Sequence, residues 1–258
     1  MKLLIDAGNT RIKWALVRGN DWLCSGALLA EQAGSLSQEI VEHPALRAQA
    51  GLTSGLSGIQ QVWVSNVAGE KIAQHIRNIG ISKSGQLHFV VAQEAQCGVH
   101  NGYSKAAQLG SDRWAALIAA WHLVQGKCLI VNSGTATTID ALSEHGKFLG
   151  GLIVPGVELM QRSLVAATEQ LQSEQGEYVD FPLNSADAIY SGAIQASCGA
   201  IERQYALLKD DRAPVLLSGG MAGLLQPRLN QNLFSKPPRI VDNLVLQGLM
   251  VMAQEASS

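Results

Sequence analysis

Two stretches of the chain share one plan. Residues 3–16 read LLIDAGNTRIKWAL and residues 129–142 read LIVNSGTATTIDAL. In each, an apolar strand runs into Asp or Asn, then a small residue, a glycine and an Asn or Thr. A second apolar strand then returns. A hairpin that occurs twice at this distance implies an internal duplication of an α/β unit. No low-complexity linker separates the copies, so the expectation is two similar domains packed face to face. Their seam is expected near residues 114–127, and the division is drawn as domains 1–115 and 116–258.

The rest of the chain fits mixed α/β units. LLID (3–6) and IKWALV (12–17) read as strands joined by a turn at Gly8-Asn9. WLCSGALL, QVWVSNVA and LHFVVA read as further strands. In EKIAQHIRNIG, Ile72, Ile76 and Ile79 keep helical spacing and Gly80 is the expected stop. GSDRWAALIAAWHLVQG predicts a helix with Trp114, Leu117, Ile118, Trp121 and Val124 on one face and Ser111 as its N-cap. GKFLGGLIVPG reads as a Gly-rich connection. VELMQRSLVAATEQL reads as a helix with Val157, Met160, Leu164 and Leu171 near one side. A long helix is expected over residues 185–208. Its small residues, Gly192, Ala193, Ala196, Gly199 and Ala200, would let a neighbouring helix approach closely. PVLLSGGMAGLL reads as strand, double glycine, helix. VDNLVLQGLMVMA reads as a final helix.

The first loop, taken alone, suits either a plain hairpin or an anion site. Glycine lets a ligand approach the backbone, and turn amides form concave anion sites. Asn9 and Thr10 add hydrogen-bonding groups, Lys13 can neutralise phosphate charge, and Asp6 can hold Mg²⁺ through water. The echo at residues 132–138 favours the anion reading, because two such loops on facing domains would clamp a nucleoside triphosphate. LLSGGMAG supplies a third Gly-rich strand end for an adenosine. The P-loop and dinucleotide fingerprints are both absent. In GSDR, Asp112 and Arg113 suit either helix-end electrostatics or a site in a cleft. There a carboxylate accepts a proton from an attacking hydroxyl and a guanidinium binds a carboxylate or phosphoryl group.

Composition excludes other classes. With 258 residues, 47% of them hydrophobic, the chain can bury a sizeable core. Nineteen basic residues against 21 acidic ones leave no basic footprint for nucleic acid. The apolar start before Asp6 is too short for a signal peptide, and no stretch is long enough to span a bilayer. Cys24, Cys97, Cys128 and Cys198 stand apart, as buried thiols of a reducing cytosol do. The histidines show no zinc-binding pattern.

In this order, DAGNTRIK, GYSKAAQLGSDRW, NSGTATTID, GGLIVPG, LLSGG and DNLVLQGL resemble the type III pantothenate kinases, or Bvg accessory factor-like proteins. The match spans nearly the whole chain. The resemblance implies an α/β fold of two RNase H-like domains of the actin-like ATPase and sugar kinase superfamily, with mixed sheets flanked by helices and a cleft between them. It implies a cytoplasmic homodimer acting on ATP and pantothenate, without nucleic acid or membrane as partner. The implied reaction is ATP- and Mg²⁺-dependent phosphorylation of pantothenate to 4′-phosphopantothenate, the first step of coenzyme A synthesis. The alternative is a non-catalytic nucleotide- or pantothenate-binding regulatory relative of the same fold.

Carried over residue by residue, Asp6, Ala7, Gly8, Asn9, Thr10, Arg11, Ile12 and Lys13 resemble the ATP phosphate loop. Thr135 matches an ATP-contacting threonine. Gly110, Ser111, Asp112 and Arg113 resemble the pantothenate-binding segment, with Asp112 the proton acceptor. Tyr103 matches a substrate-contacting tyrosine, and Ser185 stands where the family has a substrate-contacting threonine. Two positions depart from the pattern. Asn132 replaces the aspartate that binds the activating K⁺ or NH₄⁺ ion, so weakened cation dependence is expected. Lys105-Ala106 stands where the family carries Asn-Pro.

Overall fold

Leu3, Leu4 and Ile5 are consecutive, and all three are fully buried. Successive strand residues face opposite ways, so the strand they form must be covered on both faces. The computed structural model describes residues 1–47, 55–80, 85–167 and 175–256. In chain order the strands are β1 (Lys2–Ala7), β2 (Arg11–Arg18), β3 (Asp21–Leu29), β4 (Gln61–Asn66), β5 (Gln86–Phe89), β6 (Ala95–Gln96), β7 (Val99–His100), β8 (Cys128–Ser133), β9 (Ala136–Leu142), β10 (Phe148–Pro155), β11 (Val215–Ser218) and β12 (Arg239–Ile240). The α-helices are α1 (Leu36–Glu42), α2 (Pro44–Arg47), α3 (Glu70–Arg77), α4 (Ser111–Val124), α5 (Val157–Ala167), α6 (Ser185–Leu207), α7 (Ala222–Leu225) and α8 (Leu244–Glu255).

The chain divides into two units. The first is Met1–His122 with Leu244–Ser258, and the second is Leu123–Asn243. This differs from the division expected at 115/116. Helix α4 runs on past that point, and α8 groups with the first unit, not the second. The first unit's sheet has the order β3-β2-β1-β4-β5. Its β1–β2 and β2–β3 pairs are antiparallel, and its β1–β4 and β4–β5 pairs are parallel. On one face, Leu3, Ile5, Trp14 and Leu16 pack with Leu36 and Ile40 of α1 and Ile72 and Ile76 of α3. Helix α8 packs against β1, β2 and β4.

Helix α4 is buried nearly all round from Ser111 to Ala120, with Asp112 half-buried, and not along one face as its spacing suggested. Glycine explains the close approach. A Cβ on Gly248 of α8 would lie 1.9 Å from the Ala115 carbonyl oxygen of α4, so the two helices meet backbone to backbone. Ala115, Ala116, Ala119 and Ala120 have short side chains that suit such a contact.

The second unit repeats the plan. Its sheet order is β10-β9-β8-β11-β12, with the same sequence of antiparallel and parallel pairs. The expected Gly-rich connection over residues 146–156 forms β10, paired antiparallel with β9 and irregular between Phe148 and Gly150. Its glycines hide a strand whose partner holds it in extended form. Core residues of β8, β9 and β11 pack with Ile194, Cys198, Ile201 and Tyr205 of α6. In α5 only Val157 is buried, Leu164 is exposed, and Leu171 lies outside the described residues. Helix α3 ends at Arg77, short of Gly80. Cys24, Cys128 and Cys198 are buried free thiols, while Cys97 is half-buried. Among the described residues no helix is long and apolar enough to cross a membrane.

Candidate functional site

The first loop is built by hairpin register. Asp6 pairs with Lys13 across the antiparallel β1–β2 ladder and with Ser65 across the parallel β1–β4 ladder. Residues in register stand on the same face of a sheet, so an acid, a base and a hydroxyl line up near the strand ends. The Gly8 N–H donates to the Arg11 carbonyl at 3.0 Å, which puts Asn9 and Thr10 at the tip, one residue beyond the expected turn. The Thr10 carbonyl accepts from the Ala30 N–H at 2.9 Å and holds the loop from its far side. Asn9, Thr10 and Arg11 are exposed, and Lys13 is half-buried. Ala7 and Ile12 point into the core, so toward a ligand they offer backbone only.

The start of α4 lies within the same unit. The Gly110 carbonyl accepts the Trp114 N–H at 2.9 Å, so Gly110 holds the cap position expected of Ser111. The Ser111 hydroxyl is 2.9 Å from that of Ser65, and both are buried. One carboxylate oxygen of Asp112 accepts the Arg113 N–H at 2.8 Å. Arg113 is 5% exposed, a depth at which a guanidinium requires partners. Its Nη1 donates to the Tyr103 hydroxyl at 3.0 Å, and the guanidinium lies 5.9 Å from that ring's centroid. The Trp114 indole N–H donates to Gln96 at 3.0 Å, anchoring the same turn.

Electrostatics tie Asp6 to Asp112. The Asp6 carboxyl is pushed up to about 7, first by burial and then by the Asp112 charge, with Lys13 opposing both. A buried acid whose charge is disfavoured, beside a second acid and one lysine, suits a bound cation.

The second unit repeats the register. Asn132 pairs with Thr138 of β9 and Ser218 of β11, as Asp6 pairs with Lys13 and Ser65. Both charges of the first loop are thus replaced by neutral groups, while the serine is kept. The Gly134 N–H donates to the Ala136 carbonyl at 3.0 Å and leaves Gly134 and Thr135 exposed at the tip. Backbone segments grip this loop from two sides. A Cβ on Gly156 would lie 2.1 Å from the Gly134 carbonyl oxygen, and one on Gly219 would lie 2.2 Å from that of Ser133. Gly219 also has φ +94°, a conformation that favours glycine. Ser185 is the first residue of α6, exposed, next to the capping Asn184 whose side chain accepts the Asp187 N–H at 2.9 Å.

Sequence reading passed over Ser65. Its signal was present: VWVSN, like VLLSG, is an apolar strand that ends in serine at the level of the acidic or amide residue next door.

One sheet order used twice, each time with a glycine loop in the hairpin of its first two strands, defines a protein with the fold of actin-like ATPases and sugar kinases. Solved structures bear out the fold. One is a conserved putative Baf family transcriptional activator from Campylobacter jejuni, at TM-score 0.60 and 20% identity, covering 99% of this chain and 98% of that one. Another is a putative 2-dehydro-3-deoxygalactonokinase from Sinorhizobium meliloti, at TM-score 0.56 and 13% identity, covering 100% and 96%. The family profile described as type III pantothenate kinase matches residues 2–207. A curated type III pantothenate kinase of Nitrosospira multiformis is 44% identical over 99% of this chain and 92% of its own length. The chain belongs to the type III pantothenate kinase family.

Proposed function

We propose that this chain transfers the γ-phosphoryl group of ATP to the primary hydroxyl of pantothenate. The product is 4′-phosphopantothenate, and the reaction is the first step of coenzyme A synthesis. Family membership supports the reaction class. The observation that carries the site assignment is the electrostatic coupling of Asp6 to Asp112, with Lys13 beside them.

In this reading the loop of residues 6–13 takes the phosphates through its backbone amides, Asn9, Thr10 and Lys13. Gly134, Thr135 and the glycines at 219–220 are further nucleotide contacts. Tyr103, Gly110, Ser111, Arg113 and Ser185 bind pantothenate. Arg113, already oriented by Tyr103, meets the pantothenate carboxylate. The free oxygen of Asp112 orients the hydroxyl and accepts its proton. The hydroxyl oxygen then forms a bond to the γ-phosphorus, the bond from that phosphorus to the bridging oxygen breaks, and ADP leaves. Asp6 suits Mg²⁺, because a cation relieves a carboxylate whose charge burial disfavours. Mg²⁺ usually keeps several of its waters and binds through one or two carboxylates together with substrate phosphates. When bound there, Mg²⁺ would neutralise charge on the β- and γ-phosphates.

The proposal extends to assembly and ions. Asn132 supplies an amide oxygen but no charge, so activation by K⁺ or NH₄⁺ is weak. The chain works in the cytoplasm as a homodimer. Exposed small residues on α6 support that: the Cβ positions of Gly192 and Gly199 face open space.

A coupled assay of ADP release tests the function, with pantothenate as acceptor and with or without K⁺ or NH₄⁺. Turnover is expected in each case, and Asp112→Asn is expected to lower kcat by roughly two to four orders of magnitude. No turnover under any cation would overturn the proposed reaction. Near-normal turnover of the variant would remove Asp112 from its role.

A further inference from the structure

Gly110 raises a question its backbone does not answer. Its φ lies outside the left-handed region that favours glycine, so another residue could adopt its conformation. The space around it is what excludes a side chain. A Cβ there would lie 2.6 Å from Oδ1 of Asp112. That oxygen is held in place by the Arg113 N–H at 2.8 Å. The carboxylate therefore folds back over the first turn of α4, into room that only glycine leaves free. Its other oxygen is turned away from this contact.

The turn itself is tied down. Ser111 precedes Asp112, and its hydroxyl meets that of Ser65 at 2.9 Å. Ser65 is fully buried and in register with Asp6. This one buried hydrogen bond joins the start of α4 to the sheet at the level of Asp6.

We propose that Gly110 and Ser65 are positioning residues for Asp112. Gly110 leaves the carboxylate its place, and Ser65 fixes the turn that carries it. The inference rests on the reading of Asp112 as proton acceptor and adds the parts that aim it. Small displacements of such a group are costly: about 1 Å of misplacement can lower a rate by about a hundredfold.

The test is a double-mutant cycle on the purified full chain, reading kcat, the KM for pantothenate, and Tm. Gly110→Ala is expected to lower kcat by about 10- to 100-fold. Its Tm should move by only a few degrees, because the displaced atom is the free end of a side chain. In an Asp112→Asn background the same substitution should cost less than about twofold, since the group it displaces has already lost its function. Ser65→Ala should lower kcat with the same non-additivity. Wild-type kcat in both variants overturns the inference, and so does an equal loss in both backgrounds. If Gly110→Ala does not fold, the Ser65→Ala cycle alone decides. If Asp112→Asn turns over normally, the proton-acceptor reading falls. If Asp112→Asn is impaired while Gly110→Ala and Ser65→Ala are not, only the positioning inference falls.

Discussion

Asp6 sits where its own charge is disfavoured. Its carboxyl titrates at about 7 instead of 3.8, first because it is buried and then because Asp112 is near. A raised carboxyl pKa means the folded state holds the proton more tightly than the unfolded one. Stability from this group is therefore full below about pH 4 and falls as pH rises toward 7, at roughly 1.4 kcal/mol per pH unit of difference. Asp6→Asn removes the penalty. In chelator and without nucleotide, the variant should melt several degrees above wild type at pH 8 and much closer to it at pH 5. An equal gap at both pH values would show that Asp6 is not strained as described. The same variant should be a poor kinase, a stability gain set against function. The hairpin that carries Asp6, Gly8 and Lys13 was legible in sequence because strand pattern and turn chemistry are local. Ser65 left a pattern at its strand end but not its role, which lies in a contact with Ser111, 46 residues away.

Helices and strands were read well where one signal dominated. The duplicated hairpins, β4 and α6 follow from apolar runs and small-residue spacing. Two elements defied their local pattern for opposite reasons. Strand β10 carries glycines that read as a loop, yet pairing with β9 holds it extended. Helix α4 reads as one-faced, yet its alanines are buried because α8 reaches its backbone. That contact has a measurable cost of change. Gly248→Ala brings a Cβ against the Ala115 carbonyl, a backbone atom that cannot swing aside. A loss of about 1–3 kcal/mol is expected, read as a lower midpoint in urea with the slope unchanged. A midpoint equal to wild type would mean that the two helices separate easily.

At the scale of the molecule, the second unit exposes large apolar side chains among its described residues. Phe181 is 89% exposed and Leu183 fully so, and Ile153 of β10 is 63% exposed. Exposed apolar surface of this kind commonly marks an association face. With the open glycines of α6, these side chains are the face on which the proposed homodimer would form. Gly199→Arg should halve the mass seen by light scattering while leaving the circular dichroism spectrum intact. A variant that still runs as a dimer would move the interface elsewhere. The sequence pattern marked two similar units but not the return of α8, because an apolar helix does not record which sheet it covers.

That return sets an order of events during synthesis. The ribosome delivers β1 and its neighbours before the second unit, but α8, which packs on β1, β2 and β4, comes after it. The second unit is one continuous stretch and can close as soon as Asn243 is free of the exit tunnel. The first unit waits, without the cover of α8, until Leu244–Glu255 has followed. Strands made before the second unit are thus covered by α8 only after it, which lengthens their exposure to chaperones and proteases.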